Sequence, residues 1–273
     1  MNRFYTLFFS LLGALLLSST CKDVPKEKPP TVTKDKYETL PFEVAIYQIL
    51  KNDGSGVKTS QADIDAILKQ ANVPFKKAGI RLEPAENNEV LSDLFYEFNI
   101  DFQHSFGETY TTPNKLNIIL AKSVYTTIEV GKGEYQKVEF CGVSNYPWQS
   151  GYWVIMDHEC FVNTTSFIHE IGHYFGLLHT HYPENGYESV ARVNCKTAGD
   201  KLCDTPADYG ITENEIDERC RYIGTRLDKD GDKFTPLVNN FMSYGRTDCR
   251  DSFTPEQNAE MNKWAKERAK IVN

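Results

Sequence analysis

The sequence predicts a mixed α/β (α+β) domain: a twisted mixed sheet with a functional helix, followed by a loop-rich C-terminal subdomain. Three observations carry this. Apolar β-rich segments alternate with helical spacing through the N-terminal half. "HEIGHYFGLLHTH" (169–181) reads as one amphipathic helix that stops at a glycine. From about Thr180 to Thr235 the chain is dominated by Gly, Asp, Asn, Pro and Cys, a composition held in one shape only by disulfides or bound ions. A hydrophobic content of 40% with 12% aromatic residues suffices for a packed core, and a formal charge of −8 with no basic stripe excludes nucleic acid as the expected partner.

In chain order, Arg3, the apolar run Phe4 to Leu17 and the small residues Ser18 to Thr20 form an export signal over residues 1–20. That run is shorter than the roughly 20 residues a bilayer requires. "LSSTC" resembles a bacterial lipoprotein box with Cys21 as the lipidated residue; simple secretion is the alternative. Residues 21–36 are rich in Pro and Lys and form a solvated tether. The folded domain spans 37–273, with an upper subdomain at 37–179 and a lower one at 180–273.

"FEVAIYQIL" (42–50) is a buried strand, and "TSQADIDAILKQANVPFKKAG" is a helix capped at Thr59 or Ser60, with Ile64, Ile67, Leu68 and Ala71 on one face. "GIRLEPA", "KLNIILAKS" (115–123) and "GYWVIMD" (151–157) are further strands, the last two separated by a long loop-rich stretch. The terminal helix takes Thr254 as N-cap, Pro255 at its first position and Gln257 three residues after the cap. Apart from Cys21, six cysteines remain, which in an exported protein read as up to three disulfides among 15 possible pairings.

His169 and His173 lie four apart, so a helix puts both on one face with Glu170 beside the first. In H-E-x-x-H the two imidazoles bind zinc and the carboxylate serves as general base. A continuing helix would rotate His179 by about 600° from His173, or about 240° after whole turns, away from any shared ion. Gly176 resolves this, because glycine takes the left-handed conformation that ends a helix and lets His179 return as third ligand. H-E-x-x-H-x-x-G-x-x-H followed by the methionine turn "NNFMSYG" (239–245) is the metzincin pattern. Three neutral imidazoles leave a tetrahedral zinc one open position for the water that attacks a carbonyl.

"HEIGHYFGLLHTH", "GDKLCDTPA" (199–207), "NNFMSYG" and "CRDSFTPEQNAEM" (249–261) together resemble the pappalysin family of metzincin zinc metalloproteases. The family pattern has a Gly-Leu-x-His-Thr helix end, Gly-Asp-x-x-x-Asp-Thr-Pro, Asn-x-Met-x-Tyr and Cys-x-x-x-Phe-Thr-x-x-Gln. The resemblance implies zinc ligands at His169, His173 and His179, the catalytic base at Glu170, a hydrophobic floor at Met242 and an oxyanion-stabilising tyrosine at Tyr244. It also implies a calcium site drawing on Asp200 and Thr205, and disulfides Cys195–Cys220 and Cys203–Cys249, with Cys141–Cys160 as an additional bridge. The family is commonly made with a sizeable pro-segment. Here about 16 residues separate Cys21 from the first strand, so latency is absent or rests on a side chain such as Asp23, Asp35 or Glu38.

"DKDGDKF" (228–234) lacks the EF-hand positions and reads as a solvated turn, "NTT" (163–165) as a helix N-cap, and His104, His158 and His181 as histidines without a metal role. The expectation is an exported zinc-dependent endopeptidase, monomeric, with zinc and calcium, a protein or peptide substrate, and membrane attachment only through an N-terminal lipid anchor; otherwise it is secreted. The alternatives are a surface-binding protein on a metzincin scaffold and a zinc amidase acting on non-protein amides.

Overall fold

The computed structural model describes residues 36–272. The signal segment, Cys21, Asp23, Asp35 and nearly all of the tether lie outside the described residues. Strand β1 (Leu40–Leu50) sits inside a five-stranded sheet and is buried on both faces. Its alternation sends Phe42, Val44 and Ile46 to one core and Ala45, Tyr47 and Ile49 to another. A strand covered twice needs apolar residues at successive positions, which is why this segment reads as a near-continuous hydrophobic run. Helix α1 (Gln61–Phe75) follows, capped by Ser60, whose Oγ accepts the Asp63 N–H at 3.2 Å, and buries the face predicted for it. It delivers the chain to β2 (Ile80–Leu91), parallel to β1.

After two short helices, α2 (Asp93–Tyr96) and α3 (Gln103–Tyr110), flanking β3 (Glu97–Asn99), the chain forms β4 (Leu116–Ala121), parallel to β1 on its other side. The stretch from 123 to 151, expected to be loop, is largely strand. β5 (Ser123–Gly131) and β6 (Glu134–Phe140) pair antiparallel, and β3 joins them in a three-stranded sheet. These strands expose Ile128, Val130 and Tyr135, so no buried face imposes a readable alternation. Next come β7 (Gly142–Ser144) and β8 (Trp153–Asp157), which complete the larger sheet in the order β2-β1-β4-β8-β7. Only β7 runs antiparallel, and it forms an edge.

Helices α4 (His158–Val162), α5 (Thr164–Tyr174) and α6 (Pro255–Val272) complete the regular structure. The main core joins β1, α1 and α5 with Phe241, Met242, Phe253, Met261 and Ala265, so residues on both sides of position 179/180 share it. α6 begins as expected: the Thr254 Oγ accepts from the Gln257 N–H at 3.2 Å while the Gln257 Oε1 accepts from the Thr254 N–H at 2.9 Å.

Between α5 and α6 regular structure gives way to turns, short 3₁₀ segments and isolated bridges, with a small cluster around Ile211, Ile216 and Cys249. Two disulfides hold this segment, and their pairing corrects the one the family resemblance implied. Cys195 bonds Cys203 across a separation of 8, and Cys220 bonds Cys249 across 29; Cys141–Cys160 forms as expected. The turns after Cys195 fold that segment back on itself, bringing the Cys203 Cα to 5.1 Å from that of Cys195, within bridging range. Within residues 228–234 the expected solvent-facing turn forms over 228–233, with Asp228 Oδ1 accepting the N–H groups of Asp230 and Asp232, while Phe234 is buried.

His158 is buried, its Nδ1 3.1 Å from Thr59 Oγ1 and its Nε2 without a partner. Burial, assisted by the Lys122 charge, pushes it down to about 4. The unfolded chain therefore binds a proton near pH 6.5 that the folded chain refuses until about pH 4, so stability falls as pH drops through this window. Melting curves between pH 7 and 4.5 are expected to fall more steeply for the wild type than for His158→Gln; parallel curves would contradict this.

Candidate metal centre and active site

Helix α5 starts at Asn163, whose Oδ1 accepts the Thr165 N–H at 3.2 Å, and every residue from Ser166 to Tyr174 is buried. Its end is a Schellman turn. The Leu177 N–H donates to the Gly172 carbonyl at 3.0 Å, the Gly176 N–H to that of His173 at 2.8 Å, and Gly176 sits at φ +88°. A Cβ at Gly176 would also collide with the Trp264 indole. The reversal brings His179 back over the helix, where its Nε2 lies 3.1 Å from that of His169 and 2.9 Å from that of His173; the latter two are 3.1 Å apart.

The Nδ1–H of His169 donates to the Phe241 carbonyl at 2.6 Å, and that of His173 to the Leu177 carbonyl at 2.7 Å. Those bonds fix the tautomer, leaving the Nε2 lone pairs aimed inward. Burial and the neighbouring imidazoles hold His169 and His179 well below the usual histidine range, and burial takes His173 to about 4. Three neutral nitrogens with converging lone pairs repel unless a cation lies among them. Zn–N bonds of about 2.0–2.1 Å at tetrahedral angles give N···N of roughly 3.3 Å, close to what is observed, so the donor set fits zinc.

Met242 is fully buried and packs against the helix at Gly172. A Cβ at Gly172 would lie 2.6 Å from the Met242 sulfur, so the glycine inside "HEIGH" lets the methionine approach the helix backbone. The methionine turn is clamped by the α6 cap. Gln257 exchanges hydrogen bonds with Asn240 at 2.7 and 3.1 Å, and Asn240 Oδ1 accepts the Met242 N–H at 2.9 Å. The half-exposed Tyr244 ring lies 4.6 Å from His179, centroid to centroid. His181 stacks on His179 at 5.0 Å; among the described residues only His169, His173 and His179 form a convergent group.

Glu170 is buried, and burial pushes it up to about 7 against the Ser144 hydrogen bond and the Arg250 charge. Ser144 Oγ donates to the Glu170 carbonyl at 2.6 Å and lies 3.3 Å from its Oε2. Sequence reasoning missed Ser144 because nothing local marks it. It sits on β7, which borders a cleft of about 720 Å³ also lined by the three histidines, Glu170, Gly210–Glu213, Tyr244 and Arg250. Glu38, exposed just before β1, is not among the lining residues.

Asp200 and Thr205 meet elsewhere. Asp200 Oδ1 accepts from Thr205 Oγ1 at 2.9 Å and from the Leu202 N–H at 3.0 Å, so the threonine hydroxyl orients the carboxylate. Asp200 Oδ2 and both Glu188 oxygens are buried without partners. Glu188 was not picked out from sequence. It packs against Gly199, where a Cβ would sit 3.1 Å from Glu188 Oε2, and its charge acts on Asp200 through space. Burial pushes both carboxyls up to about 7.

Gly176→Ala is expected to cost at least about 1–2 kcal/mol from the left-handed backbone alone, before the clash with Trp264, and to lower zinc content. Chemical denaturation and metal analysis check it; unchanged stability and full zinc would contradict the role given to this turn.

Residues 141–266 match the peptidase M43 family model described as pregnancy-associated plasma protein-A. An extracellular metalloprotease of Aspergillus oryzae is 36% identical over 97 residues, covering 34% of this chain and 25% of that protein. Human pappalysin-1 is 30% identical over 182 residues, 60% of this chain and 10% of its own length. The chain thus spans a quarter or less of these relatives. Among solved structures, mirolysin in complex with a compound superposes with a TM-score of 0.60 at 14% identity, over 87% of this chain and 100% of that one. Mature Tannerella forsythia mirolysin in complex with a cleaved peptide gives 0.58 at 14% identity, over 87% and 99%. At such identity the likeness is one of fold. Residues 141–266 thus carry a peptidase M43 (pappalysin) family match.

Proposed function

We propose that this protein is an exported zinc-dependent endopeptidase, its cleft lying between segments 37–179 and 180–273. The observation that carries the reading is the convergence of three imidazole nitrogens, those of His169 and His173 tautomer-locked, beside a buried carboxylate in a cleft bordered by a sheet edge. His169, His173 and His179 would hold zinc, which when bound supplies Lewis acidity toward water and a carbonyl oxygen.

The chain's own groups do the rest. An extended substrate pairs with the outer edge of β7, giving its scissile carbonyl a fixed orientation. Ser144 holds Glu170 Oε2, leaving Oε1 to take a proton as water forms its bond to the carbonyl carbon; the same proton passes to the amine nitrogen as the C–N bond breaks. The Tyr244 hydroxyl donates toward the oxyanion. Met242 packs under the site and keeps water from that side.

Calcium belongs to the same reading. The unpartnered oxygens of Asp200 and Glu188 supply a hard cation's ligands, and Thr205 orients Asp200. The apolar run Phe4–Leu17, three disulfides and the extracellular relatives support export, with Cys21 as lipid anchor and a monomeric chain.

Zinc-loaded protein is expected to cleave casein, and Glu170→Gln to lose roughly 10²–10⁴-fold in kcat while retaining zinc. Equal cleavage by both, or by neither with zinc present, would sink the assignment. Removing calcium with zinc maintained should lower the melting temperature and raise proteolytic nicking within 180–254. An unchanged melting temperature would count against the calcium site.

A further inference from the structure

Arg250 is a cation lining the cleft without an anion to match it. Its Nη1 donates to the carbonyls of Ser243 at 3.1 Å and Phe241 at 3.5 Å, while Nε is buried with no partner. No carboxylate among the described residues forms an ion pair with it; Glu170 and Glu213 act on it only through space. It shares the cleft with Ser166, Glu170 and Tyr244. Holding two carbonyls does not require a charge, and a partly desolvated guanidinium without a counter-anion is unfavourable.

The cleft also carries Glu139 and Glu213, which would favour a basic substrate. Both are exposed at its rim, where water screens a charge pair strongly. Arg250 is partly desolvated and presents a planar fork suited to a carboxylate. The partly desolvated charge therefore outweighs the rim. In the sequence Arg250 occupies one of the open positions of Cys-x-x-x-Phe-Thr-x-x-Gln, so the family pattern does not prescribe it.

We propose that Arg250 is a specificity-determining residue that binds a substrate carboxylate next to the scissile bond. This rests on the peptidase reading. The carboxylate comes from an Asp or Glu side chain or from the substrate's C-terminus. Selection for it over a neutral group of similar size amounts to roughly tenfold to hundredfold in kcat/KM.

The test digests a peptide library with zinc-loaded protein, once as free acids and once as C-terminal amides, and reads the cut sites by mass spectrometry. Acidic residues enriched at one fixed position in both libraries identify the side chain as source. Cuts confined to the free-acid library near its C-termini identify the terminal carboxylate. In either case Arg250→Met should reduce the carboxylate-to-neutral ratio of kcat/KM at least tenfold, Arg250→Lys should retain part of it, and Arg250→Glu should turn the preference toward Lys and Arg. Because the ratio is taken within each variant, a general loss of activity does not mimic the effect. Should Arg250→Met fail to fold by circular dichroism, the wild-type profile and Arg250→Lys decide. A neutral or basic wild-type preference, or an acidic one that survives Arg250→Met, overturns the proposal while leaving the peptidase intact. A library left uncut overturns the peptidase reading and this one with it.

Discussion

The left-handed turn at Gly176 is the constraint on which the site depends. Without it His179 would point away from His169 and His173, and the lone pairs would have nothing to share. The turn does a second thing: it aims the Leu177 carbonyl at His173 Nδ1, fixing that imidazole's tautomer. The equivalent bond to His169 comes from Phe241, in the methionine turn. Two turns some 65 residues apart thus hold the same converging nitrogens in register.

The methionine turn is in turn tied to the C-terminal helix. Gln257 caps α6 through Thr254 and clamps Asn240 with the same side chain, and Asn240 holds the backbone of Met242. Buried side-chain networks of this kind are stiff when every member is satisfied. The upper part of the molecule has a doubly covered sheet to brace the zinc helix. The 180–254 segment, with a small apolar cluster, relies on two disulfides and also buries the unpartnered oxygens of Asp200 and Glu188.

What was legible in the sequence follows from this physics. H-E-x-x-H, Gly176 and Met242 announce themselves because a helix terminus and a metal impose fixed spacings, and β1, α1, β4, β8 and α6 because buried faces impose periodicity. The β5–β6 hairpin was hidden because its exposed strands bury no regular face. The disulfide partners were misassigned because spacing alone does not say where a turn-rich chain folds back. Ser144, Glu188 and Arg250 were invisible for another reason: each is an ordinary residue type that gains meaning only from a distant neighbour placed beside it by the fold.

X-ray absorption at the zinc edge of the purified full-length protein tests the central claim most directly. The account predicts one zinc per chain bound by three imidazole nitrogens at about 2.0–2.1 Å and a light-atom fourth ligand, with the imidazole signal diminished in His179→Ala. Sulfur scattering at about 2.3 Å, or a zinc environment unchanged in that variant, would contradict it.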